Sequence, residues 1–211
     1  MTRTKIDWAD YTWNPVVGCT GACPYCYARR IATRFHRDFR PHWVQRNYER
    51  PFPRKAARIF VNSMSDVADW EPEWVRRVNA KMSEHPEHLF LFLTKRPGEC
   101  RILLMSQNVM LGVSVTDQCS YDRLVPQVGP NNFLSVEPMH GPIYPWGRHR
   151  WIIVGAETGN RKGKVRPALS WLREIYAYTR ARGIPLFFKE SLREVWTAFE
   201  VCAFPQEYPG R

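Results

Sequence analysis

No run of this 211-residue chain approaches the roughly 18 consecutive apolar residues that a transmembrane helix needs, so no membrane association is expected. Nothing at the N-terminus resembles a signal peptide. A cytoplasmic chain with reduced thiols is therefore expected, and a disulfide framework is not. Internal repeats, low-complexity runs and Gly/Ser linkers are lacking, which suggests one domain over 1–211, with about 191–211 as a C-terminal extension. The six histidines are scattered, none at metal-ligand spacing, and carry no assignment. Acidic residues are scarce: 20 against 31 Lys and Arg, a net charge of +11. With 44 % hydrophobic residues the chain can still fill a core.

A balance this basic favours polyanions, nucleic acid first among them. Basic residues crowd 29–58: Arg29, Arg30, Arg34, Arg37, Arg40, Arg46, Arg50, Arg54, Lys55 and Arg58. Phe35, Phe39, Trp43, Tyr48 and Phe52 interleave with them. That mixture suits phosphate contacts with base stacking. It equally suits a solvated helix face followed by an ordinary loop.

Cysteine is sparse but concentrated. Cys19, Cys23 and Cys26 stand in a C-x3-C-x2-C run, with Tyr25 just before the last. Three thiolates this close can hold three irons of a 4Fe-4S cluster and leave the fourth iron open to a substrate or cofactor. A structural zinc site is the alternative, but it normally wants four protein ligands. Cys100, Cys119 and Cys202 are single. Cys100 reads as a buried structural thiol, and Cys202 has no role.

Six short apolar runs read as strands buried on both faces of a parallel sheet: 58–66, 88–95, 109–116, 133–138, 151–157 and 185–190. Helices are expected at 27–39, 71–84 and 169–182, and a short extra strand near 12–18. Alternating strand and helix gives an α/β class, barrel-like or doubly wound. Each strand run ends in polar residues: Asn62, Ser63, Ser65 and Asp66; Thr94, Lys95 and Arg96; Ser114 and Thr116; Ser135 and Glu137; Glu157 and Thr158; Lys189 and Glu190. Parallel α/β folds bind ligands at that edge, so one ring of groups around a single cavity is expected.

Cys19, Cys23, Tyr25 and Cys26, followed by a helix and βα units, resemble the signature of the radical S-adenosyl-L-methionine (SAM) superfamily. The wider pattern is similar to a phage and bacterial branch of spore photoproduct lyase type. It includes Lys5-Ile6-Asp7-Trp8, Thr12-Trp13-Asn14-Pro15, Asn62-Ser63-Met64-Ser65-Asp66 and Thr94-Lys95-Arg96-Pro97. It continues through Leu111-Gly112-Val113-Ser114-Val115, Leu134-Ser135-Val136-Glu137-Pro138, Ile153-Val154-Gly155-Ala156-Glu157 and Phe187-Phe188-Lys189.

The resemblance implies a partial (β/α) barrel of six to seven mostly parallel strands. It implies a 4Fe-4S cluster on Cys19, Cys23 and Cys26, and SAM on its open iron. A 5′-deoxyadenosyl radical would then take a hydrogen from substrate. Tyr25 would pack beside cluster and adenine. Asn62, Ser63, Ser65 and Asp66 stand where relatives hold the SAM amino group, although the usual Gly-Gly-Glu is missing. Ser114 and Thr116 would hold the ribose, Lys95 or Arg96 the SAM carboxylate, and Gly155 would let adenine approach the backbone. Lys95, Glu137, Glu157 and Lys189 form the implied catalytic set.

The implied substrate is a modified thymine in DNA, flipped out to meet the radical. The implied reaction isomerises an N-linked glycyl thymidine to its C-linked form in phage DNA hypermodification, in the host cytoplasm if the chain is phage-encoded. An external electron donor of flavodoxin or ferredoxin type goes with it. A radical SAM pyrimidine lyase, with Cys100 or a tyrosine as hydrogen donor, is the second reading. A non-catalytic basic nucleic-acid-binding protein with a structural metal is the third.

Overall fold

The apolar runs become strands in a computed structural model that describes residues 1–100, 107–129, 132–158, 162–197 and 203–210. Cys202 lies outside the described residues. In chain order the elements are β1 (Thr2–Arg3), β2 (Tyr11–Thr12), β3 (Val16–Val17), α1 (Tyr27–Arg34), β4 (His42–Trp43), α2 (Gln45–Tyr48), β5 (Arg58–Phe60) and α3 (Pro72–Ser83). They continue with β6 (Leu89–Thr94), β7 (Val109–Val115), α4 (Gln118–Leu124), β8 (Asn132–Val136), β9 (Ile152–Val154), α5 (Leu169–Arg182), β10 (Leu186–Phe188) and α6 (Arg193–Thr197).

Two compact units divide the chain at Leu111/Gly112, inside β7. In the first unit the strand order is β1-β2-β5-β6-β7, and in the second β7-β8-β9-β10. The β2–β5, β5–β6, β8–β9 and β9–β10 pairs are parallel, and β1 adds antiparallel at the edge. This is the expected α/β class, a partial (β/α) barrel of mostly parallel strands. The six runs read as strands all contain one. Every residue of β7 and β8 is buried, as continuous apolar runs require.

Helices follow the sequence signals closely. Pro72 opens α3 at the position where its missing N–H costs nothing. That helix buries Val75, Val78 and Met82, each contributing roughly 2 kcal/mol of apolar burial. Gly183 takes a left-handed φ of 61° and ends α5. The helix expected over 27–39 stops at Arg34, because His36 adopts φ 49° and the N–H of Arg37 turns back to the Ala32 carbonyl. The chain then returns inward, and Phe39 is buried. The extra strand near 12–18 is two pieces around Asn14-Pro15: β2 joins the main sheet, and β3 pairs antiparallel with β4.

In the second unit, residues 203–210 run along the outer edge of β10. The N–H of Phe188 donates to the Pro205 carbonyl, and Arg180 pairs with Glu207 at 2.6 Å. The loop between β8 and β9 is anchored by His149, whose Nε2 lies 2.9 Å from the Tyr121 hydroxyl and whose Nδ1 lies 2.7 Å from Asn132 Oδ1. Burial pushes the His149 imidazole down to about 4. It is therefore neutral in the fold while an unfolded histidine protonates near 6.5. Stability is complete above that value and should fall by about 3 kcal/mol as pH drops from 6.5 to 4. Denaturant unfolding of His149→Gln and parent protein across that range should show the parent losing more; equal pH slopes would contradict it. Among the described residues, no helix is long and apolar enough to cross a membrane.

Candidate active site

The cysteine loop is fastened at its first residue. Gly18 has φ 100°, and a Cβ there would sit 2.2 Å from the Arg40 carbonyl oxygen, so only glycine fits. Its N–H donates to the Met64 carbonyl at 2.9 Å, and Gly18 forms a parallel bridge with Ser65. The N–H of Cys19 donates to the Phe39 carbonyl. The polar segment 62–66 that follows β5 is thus joined to the start of the loop. Met64 packs with Cys19 and Cys26 against Ala28, Ala32 and Phe39.

Further bonds shape the loop. Thr20 donates through N and Oγ1 to Asp69, and the Arg29 guanidinium donates to the Cys19 and Gly21 carbonyls at 2.9 and 2.7 Å. Cys26 caps α1, its Sγ accepting the Arg29 N–H at 3.4 Å, and Cys19 Sγ accepts the Gly21 N–H at 3.2 Å. Burial pushes the Cys19 thiol up to about 11, the Gly21 N–H opposes this, and Asp66 and Asp69 add to the rise. Burial also raises the Asp69 carboxyl, but hydrogen bonds from Arg96 and Thr20 outweigh it and hold Asp69 below the usual carboxylate range. All three thiols are free and half-buried. Cys23 and Cys26 line an open depression with Arg29, Arg30 and Arg34.

This donor set fits an iron–sulfur cluster better than zinc. Three thiolates fall one short of the four protein ligands that a structural zinc site normally wants. A 4Fe-4S cluster can be held by three thiolates, each on its own iron. Among the described residues, the one group of three other potential ligands is His85, Glu87 and His88, whose ligand atoms lie within 4.8 Å of one another. The His85–Glu87–His88 group escaped the reading of the histidines as scattered. It is a hydrogen-bonded cluster: His88 Nδ1 accepts the Ala57 N–H at 3.2 Å, which leaves the proton of a neutral ring on Nε2, 3.3 Å from Glu87 Oε1.

Beside the loop, the residues expected to hold SAM already have protein partners. Asn62 bridges β5 to β6, its amide bonded to the Leu93 carbonyl at 2.7 Å and N–H at 3.0 Å. Ser63 bonds Asn14, and Ser65 Oγ accepts the Trp70 indole N–H. Asp66 is buried and accepts from Thr94 Oγ1 at 2.7 Å and from the backbone N–H groups of Lys95 and Ala68. Arg96 is taken up by Asp69 and Glu99. Lys95 Nζ lies 5.5 Å from the Tyr25 ring centroid, which brings a strand-end cation to the loop's aromatic residue.

In the second unit, Lys189 Nζ donates to Glu137 Oε1 across the β8 and β10 strand ends. Gly155 lies between them: a Cβ there would be 2.8 Å from Lys189 Cδ and 3.2 Å from Glu137 Cδ. A side chain at this position would collide with this ion pair, which accounts for a glycine here. Glu157 is buried, with Oε2 3.1 Å from His140 Nε2. Ser114 Oγ reaches the Glu137 carbonyl at 3.4 Å, and Thr116 bonds Asp117. His140 had no place in the sequence reading. It sits 17 residues from Glu157, and no spacing rule brings them together.

The aromatic residues of 29–58 are mostly committed to packing. Phe39 is buried under the Arg29 guanidinium. Arg77 covers Trp43 and Tyr48 at 4.4 and 4.8 Å, while Lys81 sits over Trp13, Tyr48 and Phe52. Of the five aromatics, Phe35 alone is exposed, at 58 %. Arg46, Arg50 and Arg54 do face solvent, so phosphate contact remains open to this segment while base stacking there mostly does not.

Residues 3–201 match the model of a family described as "Protein of unknown function (DUF5131)". No curated protein matches the chain. Among solved structures, spore photoproduct lyase complexed with dinucleoside spore photoproduct is similar at 12 % identity and TM-score 0.45, over 94 % of this chain and 63 % of that one. A cysteine-to-serine mutant of spore photoproduct lyase is similar at 13 % identity and TM-score 0.44, over 92 % of this chain and 61 % of that one. The chain therefore spans less than two thirds of the length of these structures.

Proposed function

We propose that this chain, which belongs to the DUF5131 family, is a radical SAM enzyme acting on a modified thymine base in DNA. The observation that carries the reading is the C-x3-C-x2-C loop itself, with three free thiols joined by backbone hydrogen bonds to the polar segment after β5. Cys19, Cys23 and Cys26 would hold a 4Fe-4S cluster and SAM would take its open iron. Bound there, the cofactors supply one-electron chemistry that ends in abstraction of a substrate hydrogen atom.

The chain's own residues position and exclude. The N–H groups of Gly21 and Arg29, donated to the Cys19 and Cys26 sulfurs, would tune the cluster. Lys95, at the end of β6 beside Tyr25, would neutralise the SAM carboxylate. Ser65 and Asp66 would orient its amino group, and Ser114 and Thr116 the ribose. Lys189 Nζ, donating to Glu137 Oε1, would turn to an acceptor oxygen of the substrate. His140 would fix the direction of the Glu157 carboxylate. It is part of this proposal that residues 1–211 serve as one domain, within a reducing cytoplasm and fed by an external flavodoxin- or ferredoxin-type donor.

The finer reading is isomerisation of an N-linked glycyl thymidine to the C-linked form. A glycyl α-hydrogen is a sensible target, because the flanking donor and acceptor groups stabilise the radical left behind. A pyrimidine lyase is the second reading, favoured by Cys100. Burial pushes that thiol up to about 11, so it keeps the S–H that a hydrogen donor needs.

The test uses anaerobic protein, reductant, SAM and DNA bearing the glycyl-modified thymine. Nucleoside digestion and mass spectrometry should show a new retention time at unchanged mass, with α-carbon deuterium passing into 5′-deoxyadenosine. DNA binding should weaken steeply with salt, and replacing Arg46, Arg50 and Arg54 by Ala should reduce the salt slope by about one per lost phosphate contact. SAM cleavage stimulated only by a peptide or small metabolite, with DNA neither bound nor changed, would overturn the DNA substrate.

A further inference from the structure

The loop between β8 and β9 carries two exposed aromatic side chains that the strand-end chemistry does not use. Tyr144 is 58 % and Trp146 43 % exposed. The loop has no regular structure, yet it is held at many points. Ile143 and His149 are buried on either side of the pair. The Tyr121 hydroxyl donates to the Trp146 carbonyl and accepts the Trp146 N–H at 2.9 Å, while its ring meets the Trp146 indole edge-on at 5.4 Å. The Tyr178 hydroxyl donates to the Gly147 carbonyl at 2.6 Å.

One small polar network fixes both aromatic positions to the same face of α4. The N–H of Tyr144 donates to Gln118 Oε1 at 2.7 Å, Gln118 Nε2 donates to Asp122 Oδ1 at 2.8 Å, and the Trp146 indole N–H donates to that same oxygen at 2.8 Å. Gln118 and Asp122 are one helical turn apart and so lie side by side. Solvent-exposed tryptophan usually keeps its rotamer freedom. Here that freedom is already spent, so a ligand meeting the ring loses little further entropy.

We infer that Tyr144 and Trp146 form a stacking platform for an unpaired nucleobase of the DNA strand; this rests on the DNA reading above and places a contact outside the strand-end residues. Three observations select this occupant. The indole N–H is satisfied within the protein, so the ring has its flat π-face left to offer, and stacking on such a face is indifferent to base identity. Exposed Arg148 stands two residues beyond Trp146, and exposed Arg123 follows Asp122 on α4, so cations able to take flanking phosphates adjoin both anchors of the platform in the chain. The loop departs from the β8 end through Glu137 and His140, the partners of Lys189 and Glu157 in the proposed catalytic set.

The experiment is fluorescence anisotropy of a labelled single-stranded oligodeoxynucleotide titrated with the full chain at several salt concentrations. Trp146→Ala should weaken binding about tenfold with an unchanged salt slope, because stacking releases no counterions. Trp146→Phe should stay within about threefold of the parent, since a phenyl ring still stacks and the exposed site tolerates it. Arg148→Ala should instead lower the salt slope by about one. An abasic oligonucleotide should bind the parent as weakly as the intact one binds Trp146→Ala. If the parent binds DNA with steep salt dependence and Trp146→Ala is indistinguishable from it, the platform is overturned while the DNA reading stands. If the parent binds neither oligonucleotide, both fall.

Discussion

Cys23→Ala protein, purified without oxygen, is expected to carry almost no iron, where the parent carries about four irons and four sulfides per chain. The cause is stoichiometric. In the proposed site three thiolates would be the whole protein contribution to the cluster, and two would leave two irons without protein ligands. Cys119→Ala is the control: that thiol is exposed at the start of α4, far along the chain from the loop, and its loss should leave iron content unchanged. Metal analysis with electron paramagnetic resonance of the reduced protein checks both. Iron retained in Cys23→Ala, or lost in Cys119→Ala, would mean that the loop is not the ligand set.

Gly112→Ala should be the most damaging single methyl in the second unit. Gly112 is buried in β7, and a Cβ there would come within 2.4–2.6 Å of three atoms of the Phe133 ring. Phe133 is itself fully buried in the neighbouring strand β8, so the ring cannot swing into solvent. Overpacking of this kind costs about 3 kcal/mol. At Gly129 a Cβ meets nothing within 4 Å, and Gly129→Ala should change stability by less than about 1 kcal/mol. Denaturant melts of both variants decide it; a Gly112→Ala midpoint equal to the parent's would show that β7 and β8 yield more than their burial implies.

Much of the scaffold could be read from the chain because its strands are buried on both faces. Val109–Val115 and Asn132–Val136 are almost unbroken apolar runs, and such runs have few other fates in an α/β chain. The cysteine spacing that carries the proposal is equally plain, since it is local. What depends on distant partners was not legible. The aromatics at 43, 48 and 52 look like a stacking surface until Arg77 and Lys81, some thirty residues on, fold over them. That Glu137 and Lys189 come to Gly155 from two other strand ends could not be read from spacing. His140 and Glu157 meet only because β8 and β9 are neighbours. The end of α1 was missed by several residues because His36, not a glycine, takes the left-handed conformation.

The central claim is that the loop at Cys19–Cys26 supports radical SAM chemistry. Its most direct test is quantification of 5′-deoxyadenosine from anaerobic, reduced parent protein and SAM. The account predicts 5′-deoxyadenosine from the parent, none from Cys23→Ala, and more when DNA carrying the modified thymine is present. Protein reconstituted with both metals that takes up stoichiometric zinc, carries no iron and yields no 5′-deoxyadenosine would contradict it.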